Sequence, residues 1–350
     1  MANAVTLVVS GGLDARTGGY IYDRHVVDGL TRRGWAVDVL VLDDSFPRPT
    51  AAASAHAERT FNGIPDRTVT LVDSLVLGAI PDIIERHGAR LRIVALMHLP
   101  LAADVGLDAA SASRFALAER RALGAATAVI VTGRATLKLL EGALVQAPVV
   151  VIEPGTDPVP LARGSGAALV HLLCVATLNP GKGHEDLISA LAAVPSRAWR
   201  LTCVGSLTRD QRTVERVQAL IREAGLEGLV SLAGALDGPA LEAAYDRSDL
   251  FVLATLRETY GMAVAEALAH GLPVVSTDTG AIADLVGPDA GMIVSPGDVP
   301  ALIDVLSQVI GDAALRSRLA AGARRVRESL PRWDDMVSRM AATLESIDHG

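Results

Sequence analysis

The sequence predicts an α/β protein made of two doubly wound, Rossmann-like parallel-sheet domains. Three observations carry that expectation. Short aliphatic runs alternate with helical patterns along the whole 350-residue chain, the pattern of right-handed βαβ units. Hydrophobic residues make up 50% but aromatics only 3%, so the core is built from the Ala, Val, Leu and Ile of buried parallel strands. The rhythm breaks once, at "EPGTDPVPLARGSG" (153–166), whose prolines and glycines read as an interdomain linker. The expected boundaries are 1–155, a linker at 156–166, and 167–330. A last helix after Pro331 (331–350) is placed with the first domain.

In chain order, the strand candidates of the first half are "AVTLVVS", "WAVDVLVLD", "TVTLVDS", "LRIVALMH", "TAVIVTG" and "PVVVIEPG". Gly34 ends the first long helix. The second half repeats the rhythm with "LVHLLCVAT", "WRLTCVGS", "LVSLAGAL", "DLFVLAT" and "LPVVST". Two such halves imply a cleft at their hinge, a common place for a ligand.

The formal net charge of −8 argues against nucleic acid as a partner. Arg316, Arg318, Arg324, Arg325 and Arg327 read as a solvated helix face. Cys174 and Cys203 sit inside apolar strand runs and read as small core residues, as expected in a reducing cytoplasm. The first residues lack the charged and apolar regions of a signal peptide, and no apolar run reaches the ~18 residues of a membrane span. A cytoplasmic location, peripheral to a membrane at most, is expected.

The richest stretch for chemistry is "LRETYGMAVAEALAHGLPVVS" (256–276). "DLFVLAT" reads as a buried strand, "LRETYG" as the loop at its carboxyl end, and "MAVAEALAH" as a helix stopped by Gly271 and Pro273. Ligands bind at such loops in open α/β sheets. Backbone N–H groups near Gly261 and Met262 suit a phosphate at the helix N-terminus, and a carboxylate at Glu266 suits a pair of sugar hydroxyls. On spacing alone, Glu258 reads equally well as a first-turn helix acid and Glu266 as a surface acid.

Three other loops share this kind of sheet edge. The "NPGKG" turn carries Lys182, a point charge within reach of a diphosphate, although G-x-x-x-x-G-K-(S/T) is absent. "SGGLDARTGGY" places Gly18 and Gly19 at a helix start without G-x-G-x-x-G, which speaks against a nicotinamide oxidoreductase. "VALMHLPLAAD" places His98 just past a strand. Taken alone, each of these also reads as an ordinary loop residue. Motifs for a metal centre or a serine-hydrolase triad are missing, so neither chemistry is expected.

Together these parts resemble a retaining glycosyltransferase of family 4 with GT-B architecture, over essentially the whole chain. The specific part is Glu258-x7-Glu266 running into "ALAHGLPVVSTDTGAIADLV", which is similar to the E-x7-E signature of that family. The resemblance implies a metal-independent transferase of the hexosyltransferase type, with a nucleotide-diphosphate sugar as co-substrate and no cofactor. It implies that Glu266 binds the ribose, that Glu258 and His98 contact the donor sugar, and that Lys182 neutralises the departing diphosphate. Gly261, Met262 and Ala263 would offer backbone N–H groups, Gly18 and Gly19 would line the acceptor-side domain, and "LAGAL" (232–236) would hold the base. Thr177 stands where the family commonly has an arginine, with Arg257 and Arg209 as candidates for the missing charge. Thr259 stands where a glycine is common. A nucleotide-sugar epimerase of the same fold and a non-catalytic binding subunit are the competing readings. The acceptor, whether small molecule, glycan or lipid-linked, is not encoded legibly: Asp14, Arg16, Tyr20 and Asp73 lie in or beside the relevant loops, but their types fix no substrate. Donor base, linkage and oligomeric state are likewise unread.

Overall fold

The computed structural model describes residues 3–14, 17–141 and 145–349. The chain forms two compact units, Met1–Gly155 with Pro331–Gly350, and Thr156–Leu330.

The first unit holds strands β1 (Ala4–Ser10), β2 (Ala36–Leu42), β3 (Val69–Asp73), β4 (Arg92–Met97), β5 (Ala128–Val131) and β6 (Val149–Val151). They form one parallel sheet in the order β2-β1-β3-β4-β5-β6. Every residue of β3 and β5 is buried, as strands covered by helices on both faces must be. The strand order reverses between β1 and β3, so the loops after these strands splay apart and leave a crevice at their carboxyl ends. The C-terminal helix, Trp333–His349, packs on the helix Gly18–Arg32. Contact is so close at Gly29 that a Cβ there would lie 2.3 Å from the Val337 side chain. Trp333 stacks on His25 at 3.7 Å, and Arg33 donates to the Asp334 carbonyl at 3.1 Å.

The second unit holds β7 (Val170–Val175), β8 (Trp199–Val204), β9 (Val230–Gly234), β10 (Leu250–Leu253), β11 (Val274–Thr277) and β12 (Gly291–Val294). These strands are also parallel, in the order β12-β11-β10-β7-β8-β9. The reversal here falls between β7 and β10. Trp199, Tyr245 and Phe251 are its large fully buried side chains, set among aliphatic residues as the composition requires.

Residues 156–166, read above as a linker, are bound to the second unit. Arg163 forks onto the Asp246 carboxylate, Ser165 N donates to Asp249 Oδ1 at 2.9 Å, and Ala162 N donates to the His270 carbonyl at 2.8 Å. Proline and glycine report the absence of a regular backbone repeat there, and that is compatible with a fixed path. The arginine cluster likewise resolves into separate tasks. Arg316 caps the carbonyls of Val309 and Ile310, Arg327 donates to the Val159 carbonyl, and Arg325 pairs with Asp289. Among the described residues, no helix is long and apolar enough to cross a membrane.

Candidate functional site

In the second unit the site begins with strand adjacency. Because β7 and β10 are neighbours, the turns at their carboxyl ends lie side by side. The turn after β7 coils through Pro180–Lys182 and leaves through Gly183, at φ 64°. A Cβ on Gly183 would lie 1.8 Å from the Ala254 carbonyl oxygen, so both backbone angle and space require glycine. The turns are then laced together: Leu256 N donates to the Gly181 carbonyl at 2.8 Å, and the buried Thr255 hydroxyl lies 2.9 Å from that same oxygen. This fixes the Lys182 ammonium in an ion pair with Glu258.

Gly261, at φ 94°, turns the chain into the helix Met262–Ala269, and Gly271, at φ 73°, follows its end. The first N–H groups of that helix have no intrahelical acceptor and carry the positive end of its dipole, an anion-binding arrangement. One turn further in, Glu266 Oε2 accepts a hydrogen bond from the Tyr245 hydroxyl at 2.8 Å. Tyr245 itself stacks on His270 at 4.6 Å. Burial pushes the Glu266 carboxyl up to about 7; Tyr245 opposes the shift, and the charges of Glu242 and Asp157 add to it.

Thr177 lies half-buried just past β7, so no cation occupies that position. Arg257 and Arg209 are both exposed, and neither forms an ion pair among the described residues. Arg257 follows directly on the laced segment. Gly234, at φ 72°, ends β9 within the "LAGAL" stretch and accepts from Gly205 N at 2.9 Å.

In the first unit His98 follows β4. Its Nε2 lies 3.0 Å from Asp23 Oδ1 and 3.5 Å from Asp73 Oδ2. Asp23 comes from the helix Gly18–Arg32, and Asp73 ends β3. Tyr22 meets the imidazole edge-on at 5.4 Å, and Thr136 donates to the His98 carbonyl at 3.0 Å. A Cβ on Gly19 would lie 3.2 Å from the ring, so the bare backbone there is what lets the helix start pack against His98. Gly18, one residue earlier, is exposed. Burial, with the Asp23 charge adding, pushes Asp73 up to about 7. Burial alone would lower His98, but the two carboxylates outweigh it and its pKa is raised. His98 Nδ1 has no hydrogen-bond partner among the described residues.

The loop after His98 is pinned by Glu119, which accepts from the Leu101 and Ala102 N–H groups. Of the loop residues considered for an acceptor, Tyr20 turns inward and donates to the Ser10 carbonyl, Asp73 joins His98, and Asp14 is exposed. Arg16 lies outside the described residues. Asp23, Glu119 and Tyr245 carry no motif. An acid on an amphipathic helix usually marks the solvent face, so only the fold reveals that these groups point inward.

Two such sheets define the GT-B glycosyltransferase fold, and the comparisons agree. Residues 169–312 match the family described as glycosyl transferases group 1. Over 207 residues the chain is 29% identical to the D-inositol 3-phosphate glycosyltransferase of Xylanimonas cellulosilytica, covering 54% of this chain and 49% of that protein. The chain spans about half the length of the curated relatives it matches. Among solved structures, sucrose-phosphate synthase from Thermosynechococcus elongatus superposes with a TM-score of 0.83 at 20% identity, covering 99% of each chain. Anabaena HepE, solved in complex with UDP and glucose, gives 0.80 at 18% identity, covering 98% of this chain and 100% of that one.

Proposed function

We propose that the protein is a retaining glycosyltransferase that moves a sugar from a nucleotide-diphosphate sugar to an acceptor hydroxyl, with no metal ion at the reacting centre. The observation that carries this reading is the lacing of the Lys182 turn to the Glu258 loop, beside the N-terminus of the helix Met262–Ala269. That arrangement offers one cation and a set of backbone N–H groups to an anion, with two carboxylates, Glu258 and Glu266, for hydroxyl groups.

In this reading the diphosphate sits against Lys182 and the N–H groups of Gly261, Met262 and Ala263. Lys182 exchanges the Glu258 carboxylate for the phosphate, which frees Glu258 for a donor-sugar hydroxyl. Glu266, oriented by Tyr245, accepts from the ribose hydroxyls. Arg257 supplies the second cation that Thr177 does not. The bond from the anomeric carbon to the diphosphate oxygen breaks, and its electron pair leaves with the diphosphate. The acceptor oxygen bonds to the same face of that carbon, and its proton passes to the departing phosphate oxygen. Lys182 and the helix N-terminus stabilise the charge that develops there. Gly18 and Gly19 set the helix start beside His98, and His98, held by Asp23 and Asp73, contacts the donor sugar. The same chemistry points to the cytoplasm, where nucleotide sugars are found, as the place of action.

The test is a thermal-shift screen with UDP, GDP, ADP and TDP, followed by NMR of the matching nucleotide sugars incubated with protein. A nucleoside diphosphate that raises the melting temperature, with slow donor hydrolysis, supports a transferase. Conversion of the donor to an epimer would overturn it, as would no shift with any nucleotide.

A further inference from the structure

Cys174 and Cys203 are register partners on the parallel strands β7 and β8, so their side chains leave the same face of the sheet. His184 opens the helix His184–Ala193, directly after Gly183, and packs onto that face. Its Nε2 lies 3.7 Å from Cys174 Sγ, and the two sulfurs and the imidazole nitrogen all fall within 4.8 Å of one another. All three residues are buried, and both cysteines are free thiols. His184 Nδ1 is buried without a hydrogen-bond partner.

The spacing has a chemical meaning. Metal–sulfur bonds of ~2.3 Å and metal–nitrogen bonds of ~2.0 Å at a tetrahedral angle give an S···N edge of about 3.5 Å. The observed 3.7 Å separation is close to that edge. Two thiolates and a neutral imidazole are a recognised three-ligand zinc donor set, which leaves the fourth tetrahedral position to a small exogenous ligand such as water, and the two thiolate charges neutralise a divalent ion.

We propose that Cys174, Cys203 and His184 form a thiolate–imidazole site for a soft divalent cation of the zinc class, directly behind the Lys182 turn. Ligation joins β7, β8 and the helix start that follows Gly183. The site is separate from the residues assigned to the reacting centre, and it does not depend on the transferase reading.

The full chain, stripped by chelator and kept reduced, is titrated with Zn2+ against a chromophoric competitor, and with Cd2+ while the thiolate-to-metal absorption is followed. The expected result is a single zinc ion per chain, a raised melting temperature and a cadmium–thiolate band. Cys203→Ser and His184→Asn should each weaken zinc binding by at least about tenfold. The cadmium band reads ligation in the wild-type chain, so the test stands even where a variant fails to fold. Three results would overturn the site: no zinc bound by the wild type, undiminished binding in a folded Cys203→Ser variant, or a cadmium complex without the thiolate band.

Discussion

The two candidate sites, one in each unit, are built by different means. In the second unit, backbone does most of the positioning: Gly183 and Gly261 at positive φ, two laced turns, and a helix N-terminus. In the first unit, side-chain charge does it: one imidazole held against two buried carboxylates drawn from a helix and a strand end. A backbone-built site is sensitive to a single methyl group. A charge-built site is sensitive to protonation.

That difference predicts the largest effect at Gly183. Gly183→Ala forces a Cβ against the Ala254 carbonyl at a strained φ, and should destabilise the second unit by about 2–4 kcal/mol with loss of nucleotide binding. Thermal denaturation with and without nucleotide measures both. An unchanged melting temperature would mean that the laced turns do not depend on Gly183.

Next is Lys182→Ala, which should lower the transfer rate by about 100-fold or more through loss of leaving-group stabilisation. Glu258 should then remain without its ion-pair partner. Single-turnover kinetics with saturating donor separate this from a loss of binding.

In the charge-built half, Asp23→Asn should lower the pKa of His98, because the largest attraction raising it is removed. NMR titration of the His98 ring protons reads this directly, and an unshifted midpoint would mean that Asp23 does not hold the imidazole. Stability linked to His98 is present below its ordinary value of 6.5 and fades as pH rises through its raised folded value.

A smaller effect is expected from Glu266. Its folded pKa of about 7 lies above the ordinary 4.5, so its contribution to stability is greatest below pH 4.5 and falls as pH rises to about 7. Ionisation prepares it to accept ribose hydroxyls. Nucleotide affinity should therefore rise through pH 7 more steeply in the wild type than in Glu266→Gln, a comparison that cancels the titration of the phosphates. Equal slopes would remove Glu266 from the ribose.

The same contrast explains what the sequence could reveal. The strands other than β12 (Gly291–Val294) and the helix at 262–269 were legible because aliphatic runs and glycine stops are local signals. Glu258, Gly261 and Glu266 stood out for the same reason, since an acid and a glycine at the front of an aliphatic helix break its pattern. Asp23 and Tyr245 were hidden because what makes them matter is burial against residues far away in sequence. The segment 156–166 read as a linker because composition reports backbone regularity and says nothing of side-chain anchors such as Arg163 on Asp246. Cys174 and Cys203 read as separate core residues and His184 drew no reading at all; the β7–β8 register pairs the cysteines and the helix start brings the imidazole to them.

A nucleoside diphosphate held by the laced turns of the second unit would depend on Lys182. Isothermal titration of the wild-type chain and of Lys182→Ala with the nucleotide picked out by thermal shift tests it most directly. Saturable binding is expected of the wild type, with affinity at least about tenfold weaker in the variant, a difference of roughly 1.4 kcal/mol or more. Equal affinity in the two proteins, or no binding by the wild type, would contradict it.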